Sequence, residues 1–150
     1  MAELAWKKIL CPVDFSPASR ETLQVATDLA RRFGGELTLF HAYPLPGYTL
    51  PEGTVLPRPQ MLQELAEQTD RHLAEWKETA ERGGSPAVCT AKSVGEPAAE
   101  ILDFAKQGGF DLIVLSTHGR TGLAHALLGS VAERVVRRAT IPVLTIRPGS

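Results

Sequence analysis

The stretch DLIVLSTHGRTGLAHALLGS covers residues 111–130, and the rest of the chain is interpreted around it. Its apolar run Leu112–Leu115 has the length and β-branched content that are typical of a buried parallel strand. At its far end, Ser130 and Glu133 match an S-x-x-E capping box for a helix that apolar spacing predicts over 131–138. The sequence therefore predicts a strand, a loop and a helix in succession.

The predicted loop is unusual in both length and composition. It runs for twelve residues from His118 to Gly129, whereas such connections in α/β units usually take about 2–6 residues. Glycines stand at its start, middle and end, and no acidic residue occurs between Asp111 and Glu133. Free N–H groups and the helix dipole at a helix N-terminus both favour negative charge. We therefore interpret this loop as a phosphate-binding segment.

Composition places the chain among soluble globular proteins. Its 150 residues are 43% hydrophobic and 22% charged, which suits one domain over residues 1–150. The net charge of −1 makes no electrostatic case for nucleic acid or an acidic membrane surface. No apolar run approaches the roughly 20 residues that span a bilayer. Cys11 and Cys89 form no CxxC pair, and the N-terminus lacks the order of a secretory signal. A cytosolic location with free thiols is expected.

The remaining elements follow from apolar spacing and from the positions of glycine and proline. The predicted strands cover 9–13, 37–43, 86–94, 112–116 and 141–146; helices are predicted between Ser16-Pro17 and Gly34-Gly35, over 60–82, between Gly95-Glu96-Pro97 and Gly108-Gly109, and over 131–138. Pro44–Pro59 holds five prolines and two glycines. It is interpreted as an irregular surface loop, with a lid over a ligand as the alternative.

Strands that alternate with helices predict an α/β fold with a parallel sheet covered on both faces. Right-handed crossovers are then required, because the strands lie too far apart in sequence for hairpins. Ligands of such sheets bind beyond the carboxyl ends of strands, where the strand order reverses. Asp14 follows the first strand and the long loop follows the fourth, so both are expected at that edge.

The loop carries neither of the two common phosphate-binding motifs. No GxxxxGK[ST] string of a Walker A loop occurs. A Rossmann GxGxxG fingerprint would follow the first strand, but residues 12–16 contain no glycine. Instead, the frame is Ser116, two residues, Gly119, nine residues, then Gly129-Ser130. This frame resembles the nucleotide-binding branch of the universal stress protein family, whose pattern is glycine, two residues, glycine, nine residues, then glycine followed by serine or threonine. Ser116 replaces the first glycine, and its side chain could crowd a contact to ribose or phosphate.

The resemblance covers nearly the whole chain, since it extends to ILCPVDFS at 9–16, LFHA at 39–42, GEP at 95–97 and IPVL at 141–144. It implies a single domain with a five-stranded parallel sheet in the order 3-2-1-4-5 and helices on both faces, of the adenine nucleotide α-hydrolase-like class. It also implies that the ligand is ATP, or ADP or AMP, with Mg²⁺ or Mn²⁺ bound through the nucleotide.

The same resemblance implies a role for particular residues at the carboxyl edge. The implied site comprises Pro12, Val13 and Asp14 beside the adenosine, Ala42 at the adenine edge, Ser116, Thr117 and Gly119 at the ribose and first phosphate, and Gly129, Ser130 and Val131 at the outer phosphates. Arg120 is interpreted either as a phosphate clamp or as a solvated loop charge. Asp14 is either a turn carboxylate or a contact to the nucleotide or its cation. His118 is interpreted as local polar packing and His41 as an incidental strand-end residue.

The last strand is expected at an edge of the sheet, where unpaired apolar residues risk unwanted pairing and Pro142 offers partial protection. The resemblance implies a homodimer through this strand, with Ile141, Val143, Leu144, Thr145 and Ile146 at the interface. The hypothesis is then a cytosolic stress-response protein that is not an enzyme. ATP would regulate its action on a partner protein that the sequence does not identify, with no role for nucleic acid or membrane. Two alternatives stay open: a slow ATPase or an enzyme that transfers a phosphoryl or adenylyl group, and a nucleotide-free interaction module.

Overall fold

A computed structural model describes residues 4–45, 48–55, 57–119 and 128–149. Within these residues it contains one five-stranded sheet, a separate two-stranded hairpin and four helices. In chain order the elements are β1 (Lys8–Pro12), α1 (Pro17–Phe33), β2 (Glu36–Tyr43), β3 (Tyr48–Leu50), β4 (Gly53–Val55), α2 (Pro59–Arg82), β5 (Ala87–Val94), α3 (Pro97–Gln107), β6 (Leu112–Ser116), α4 (Ser130–Arg138) and β7 (Val143–Ile146).

The large sheet has the order β5-β2-β1-β6-β7, and every pair in it is parallel. Counted along the chain without the hairpin, this is the predicted order 3-2-1-4-5, which is confirmed. The chain adds β2 and then β5 on one side of β1, and afterwards adds β6 and β7 on the other side. The reversal of strand order therefore lies between β1 and β6, with Leu10 opposite Ile113 in register.

The central strands β1 and β6 bury apolar side chains along most of their length because both faces of the sheet are covered. Successive side chains of a strand point to opposite faces, so Ile9 and Cys11 enter one core cluster while Leu10 enters the other. The first cluster includes residues of α1 and α2, such as Leu23 and Trp76. The second includes residues of α3 and α4. The predicted two-sided burial is confirmed.

Local signals explain where α1 begins and ends. Ser16 caps it, because its Oγ accepts a hydrogen bond from the Ser19 N–H at 3.2 Å, and Pro17 follows at the first helical position. Gly34 ends the helix in the left-handed conformation at φ 61°. Both of these predicted boundaries are confirmed.

Residues 44–59 are more ordered than predicted. The interpretation as an irregular loop is wrong for Tyr48–Leu50 and Gly53–Val55, which pair as an antiparallel hairpin. Two residues connect the strands, and Gly53 at the start of β4 has a positive φ of 136°, a conformation that favours glycine. Strands of three residues are too short for their alternation to be recognised in the sequence. Of the predicted loop, Pro46, Gly47 and Leu56 lie outside the described residues.

The last strand is shorter than predicted at its start, because β7 begins at Val143 and leaves Ile141 and Pro142 outside it. Proline has no N–H to donate, but the Pro142 carbonyl still accepts a hydrogen bond from the Ile113 N–H at 3.0 Å. The predicted edge position is confirmed, since β7 is the last strand on its side of the sheet.

Both cysteines are free thiols. Cys11 is buried on β1 and Cys89 is exposed on β5, and β2 runs between the two strands. Burial raises the pKa of the Cys11 thiol to about 12, which keeps it protonated at neutral pH. In the described part of the chain, no helix combines the length and the apolar character needed to cross a membrane.

Candidate functional site

A cavity of about 650 Å³ opens at the carboxyl ends of β1, β2 and β6. Its volume lies within the range of about 300–1,000 Å³ that is common for small-molecule sites. It also lies where the strand order reverses, which is the usual ligand position in open parallel sheets. Its lining includes Pro12, Val13, Asp14, Ser19, Phe40, His41, Ala42, Tyr43, Pro44, Leu65, Pro97, Ile101, Leu115, Ser116, Thr117, His118, Gly119, Gly129, Ser130, Val131 and Ala132.

Ten of the predicted site residues line this one cavity. They are Pro12, Val13, Asp14, Ala42, Ser116, Thr117, Gly119, Gly129, Ser130 and Val131. The eleventh, Arg120, lies outside the described residues. The structure therefore brings together four segments that are far apart in sequence, while their contacts with a ligand stay a prediction.

Asp14 is built into the turn that follows β1. Its Oδ1 accepts hydrogen bonds from the Ser16 N–H at 3.0 Å and from the Ser19 hydroxyl at 2.6 Å, and its own N–H donates to Ser19 Oγ at 3.1 Å. Ser19 is buried and lines the cavity. Ser19 was not predicted as a site residue, because a serine in the first turn of a helix carries no signal of its own beyond capping.

The residue after Asp14 holds a strained backbone conformation. Phe15 has φ 64°, which is a genuine outlier for a bulky side chain and is retained only where the surroundings enforce it. Its ring lies 4.6 Å from the ring of His41, 4.9 Å from that of His72 and 5.3 Å from that of Trp76. This aromatic cluster fixes the turn that carries Asp14.

His41 has a structural role that the sequence analysis did not assign to it. Its Nδ1 donates a hydrogen bond to the Val13 carbonyl at 2.7 Å, and the residue lines the cavity. The bond ties the end of β2 to the chain just past the end of β1. No sequence signal could have shown this, because the two residues are 28 positions apart.

The two ends of the long loop are joined at their base. The Thr117 N–H donates to the Ile146 carbonyl at 3.0 Å, and the Thr117 carbonyl accepts from the Gly129 N–H at 2.5 Å. A Cβ at Gly129 would lie 3.0 Å from that same carbonyl oxygen. At Gly119 a Cβ would lie 2.6 Å from Asp14 Oδ2. A side chain at Gly119 would therefore press on the Asp14 carboxylate, and one at Gly129 would press on the main chain of Thr117.

The Ser116 side chain is turned onto the backbone of the loop. Its hydroxyl donates to the His118 carbonyl at 2.6 Å and accepts from the His118 N–H at 3.3 Å. The Thr117 hydroxyl pairs with His118 Nδ1 at 2.8 Å. These bonds make a compact turn at the loop's start, and they direct the Ser116 hydroxyl at main-chain atoms although the residue also lines the cavity.

The start of α4 differs from the prediction. Gly129 is its N-cap and exposed Ser130 is its first residue, with no hydrogen bond from a described side chain to cap it. The predicted capping box is therefore wrong. Glu133 instead donates its N–H to the Gly129 carbonyl at 2.9 Å, and its carboxylate pairs with Arg137 at 3.3 Å. Because the helix starts one residue early, Ser130 is inside the helix rather than before it.

Among the described residues that line the cavity, positive potential comes from the backbone. Among the described residues that line it, Asp14 is the single carboxylate and none is lysine or arginine. The first N–H groups of α4 at Ser130 and Val131 lie at the positive end of a helix dipole. This end of the cavity can therefore accommodate an anion without a cationic side chain.

The five-stranded parallel order and the cavity at its switch point define an adenine nucleotide α-hydrolase-like α/β fold. The sequence profile of the universal stress protein family matches residues 5–147. A universal stress protein of Methanocaldococcus jannaschii is 38% identical in an alignment of 148 positions that covers 97% of this chain and 84% of that protein. The universal stress protein YxiE of Bacillus subtilis is 31% identical over 95% of this chain and 99% of its own length. The chain belongs to the universal stress protein family.

Solved structures agree with this assignment. Universal stress protein UspA from Lactobacillus plantarum is 28% identical, and its superposition has a TM-score of 0.83 over 97% of this chain and 100% of that one. The universal stress protein MJ0577 of Methanocaldococcus jannaschii, also 28% identical, gives a TM-score of 0.82 over 98% of this chain and 99% of that one. The resemblance inferred from the sequence is confirmed.

Proposed function

We propose that this protein binds an adenine nucleotide, ATP or its relatives ADP and AMP, in the cavity at the carboxyl edge of the sheet. The observation that carries the proposal is the convergence of ten predicted site residues on one cavity of about 650 Å³. Four segments with family-type spacing meet there, and one end of the cavity is the N-terminus of a helix. The geometry supports a base at one end and phosphates at the other.

The position proposed for the adenine base is supported by the greater length of β2, which extends beyond the end of β1. The β1–β2 pairing ends with Pro12 opposite Phe40, while β2 continues to Tyr43. The Val13 N–H donates to the Phe40 carbonyl at 2.8 Å, so the peptide groups of Ala42, two residues on, point to the same side. Because β1 has already ended, the N–H and C=O groups of Ala42 are open to hydrogen-bonding by an adenine edge.

The phosphate end is supported by main-chain donors. The N–H groups of Ser130 and Val131 begin α4 and have no carbonyl within the helix to bond. The Ser130 hydroxyl is exposed and adds a further donor. No trio of His, Cys, Asp or Glu side chains in the described residues could hold a metal ion. Phosphates themselves recruit a divalent ion, so magnesium or manganese would enter with the nucleotide, near Asp14.

More distant members of the fold have been solved with adenine nucleotides. A universal stress protein was determined in complex with cAMP, at 24% identity and a TM-score of 0.70. One from Archaeoglobus fulgidus was determined in complex with dAMP, at 24% identity and a TM-score of 0.67. At this level of identity the likeness supports the shared fold, and the ligand of this chain has to be measured directly.

We further propose a regulatory role as a homodimer rather than an enzyme with rapid turnover. The paired surface would be β7 with the preceding turn, namely Ile141, Val143, Leu144, Thr145 and Ile146. These residues are half-buried at the sheet edge, and Val136 on the adjoining α4 is 44% exposed. A dilution series in the analytical ultracentrifuge should show a dimer, and monomer alone would contradict this part. The cytosolic location and the unidentified partner protein stay predictions.

The deciding experiment for the ligand is chromatography of what the purified protein releases on heat denaturation, calibrated for adenine nucleotides. Near-stoichiometric ATP, ADP or AMP would support the proposal and would show that Ser116 is tolerated in place of glycine. A protein that releases nothing and also fails to bind Mg·ATP in calorimetry would overturn it. A turnover number above about 1 s⁻¹ would favour the enzyme alternative instead.

A further inference from the structure

An ion pair joins Arg134 of α4 to Glu96, the residue that caps the N-terminus of α3. The Arg134 Nη1 lies 3.1 Å from the Glu96 Oε1, and the two side chains are 46% and 45% exposed. Glu96 directly precedes Pro97, which lines the cavity. The pair therefore adjoins a lining residue without itself forming part of the described lining.

Arg134 lies one helical turn from the start of α4. It lies four residues after Ser130, so the two share one face of the helix one turn apart. Side chains on a helix lean toward its N-terminus, which in α4 is the end that Gly129 begins. The guanidinium lies next to the N-terminus of α3 as well, because its partner Glu96 caps that helix.

Without an anion nearby, the positive charge of the Arg134 guanidinium would be unfavourable here, since the N-terminal ends of helices carry partial positive charge. Glu96 relieves it with a single carboxylate, which also accepts hydrogen bonds from the Ala98 N–H at 3.2 Å and the Ala99 N–H at 2.8 Å. The bond from Ala99 is the main reason that the pKa of Glu96 lies below its usual value, and Arg134 lowers it further. One anion thus serves several donors, and a second anion would be favoured beside them.

We propose that the Glu96–Arg134 pair determines how strongly the site prefers nucleotides with more phosphates, Arg134 by attracting the phosphate tail and Glu96 by opposing it. This inference rests on the proposed nucleotide site. The two residues act on ligand charge and not on the base, so their effects should grow from adenosine to AMP to ATP. Replacing one or the other should move the affinity for ATP in opposite directions.

The chain supplies a matched control on the same helix. Arg137 pairs with Glu133 at 3.3 Å, with side chains 60% and 48% exposed. Arg137 lies three residues after Arg134, further from the first turn of α4, whose residues line the cavity. Replacing it removes the same charge and a similar surface ion pair.

The test is calorimetric titration of the full chain and its variants with ATP, AMP and adenosine, in EDTA so that the phosphates keep their full charge. Arg134→Gln should bind ATP about three- to fivefold more weakly, as expected for loss of an exposed charge interaction. Glu96→Gln should bind ATP more tightly by a similar factor. Arg137→Gln and Arg134→Lys should resemble wild type, adenosine should bind all variants alike, and about 1 M salt should reduce the differences.

The outcomes separate this inference from the proposed function. If wild type binds ATP but Arg134→Gln and Arg137→Gln bind it equally well, the pair has no role while the nucleotide site stands. Weaker ATP binding by both Glu96→Gln and Arg134→Gln would indicate a structural role and would also overturn it. If wild type binds none of the three ligands, the proposed function and this inference fail together. Thermal unfolding by circular dichroism identifies any variant that has lost its fold.

Discussion

Helices α3 and α4 both begin at the carboxyl edge of the sheet, and both have residues that line the cavity, yet they begin differently. Glu96 caps α3 with both carboxylate oxygens, one to the Ala98 N–H and one to the Ala99 N–H. Gly129 begins α4 and no described side chain caps it. The free N–H groups of α3 are bonded by the neighbouring Glu96 side chain, whereas those of α4 lie at the cavity.

The difference separates a structural helix start from one suited to a ligand. Every α-helix leaves its first N–H groups without intrahelical partners. A carboxylate in that position stabilises the fold but closes the place to other anions. Glycine followed by serine stabilises the helix start less and keeps the donors open, so the anion has to come from elsewhere. Substitutions at the two helix starts test whether the open start of α4 binds an anion.

The largest effect is expected from Gly129→Ala combined with Ser130→Ala. The Cβ at position 129 would meet the Thr117 carbonyl at 3.0 Å and shift the start of α4, while the second change removes the exposed hydroxyl. Affinity for ATP should fall by about tenfold or more, which corresponds to about 1.4 kcal/mol. Calorimetry measures the affinity and circular dichroism checks the fold. Unchanged affinity in a folded variant would show that α4 does not hold the phosphates.

A smaller effect, on stability, is expected from Glu96→Ala. The substitution removes the cap of α3, and loss of a capping side chain costs about 1 kcal/mol. Urea unfolding of the unliganded protein measures the change. Glu133→Ala is the control, because it breaks an exposed ion pair within α4 and should cost about 0.3–0.5 kcal/mol. Equal losses would mean that the cap of α3 contributes nothing beyond an ordinary surface charge.

Much of the fold was predictable because its signals are local or periodic. β6 covers Leu112–Ser116 as predicted, since five successive residues of an apolar strand stand between polar neighbours. Ser16 with Pro17 correctly marked the start of α1, where the Ser16 side chain completes its bond three residues on. The alternation of strands and helices then predicted the sheet and the edge at which the site residues meet.

The same kind of local motif failed at Ser130, and the reason is physical. There the helix start is set by a contact across the loop, the Gly129 N–H to the Thr117 carbonyl, which no pattern of neighbouring residues reveals. Ser19 and His41 were missed for a related reason, because each contributes through a partner brought close only by the fold. Spacing could place the site at the correct edge but could not say how each group there is already bonded.

The smallest expected effect is the pH dependence that the cap of α3 contributes. The pKa of Glu96 is lowered in the folded protein, chiefly by the hydrogen bond from the Ala99 N–H. A carboxyl with a depressed folded pKa stabilises the fold at pH above its unfolded value, here near 4.5, and the contribution is lost as pH falls through the folded pKa. Wild type should therefore lose more unfolding free energy than Glu96→Gln between pH 6 and about pH 3. The difference should amount to a few tenths of a kcal/mol, because the Glu96–Arg134 pair is exposed.

Urea unfolding at a series of pH values measures this difference in unfolding free energy. Parallel curves for the two proteins would mean that the Glu96 cap does not depend on ionisation, and the contrast with the open start of α4 would then be one of shape and not of charge.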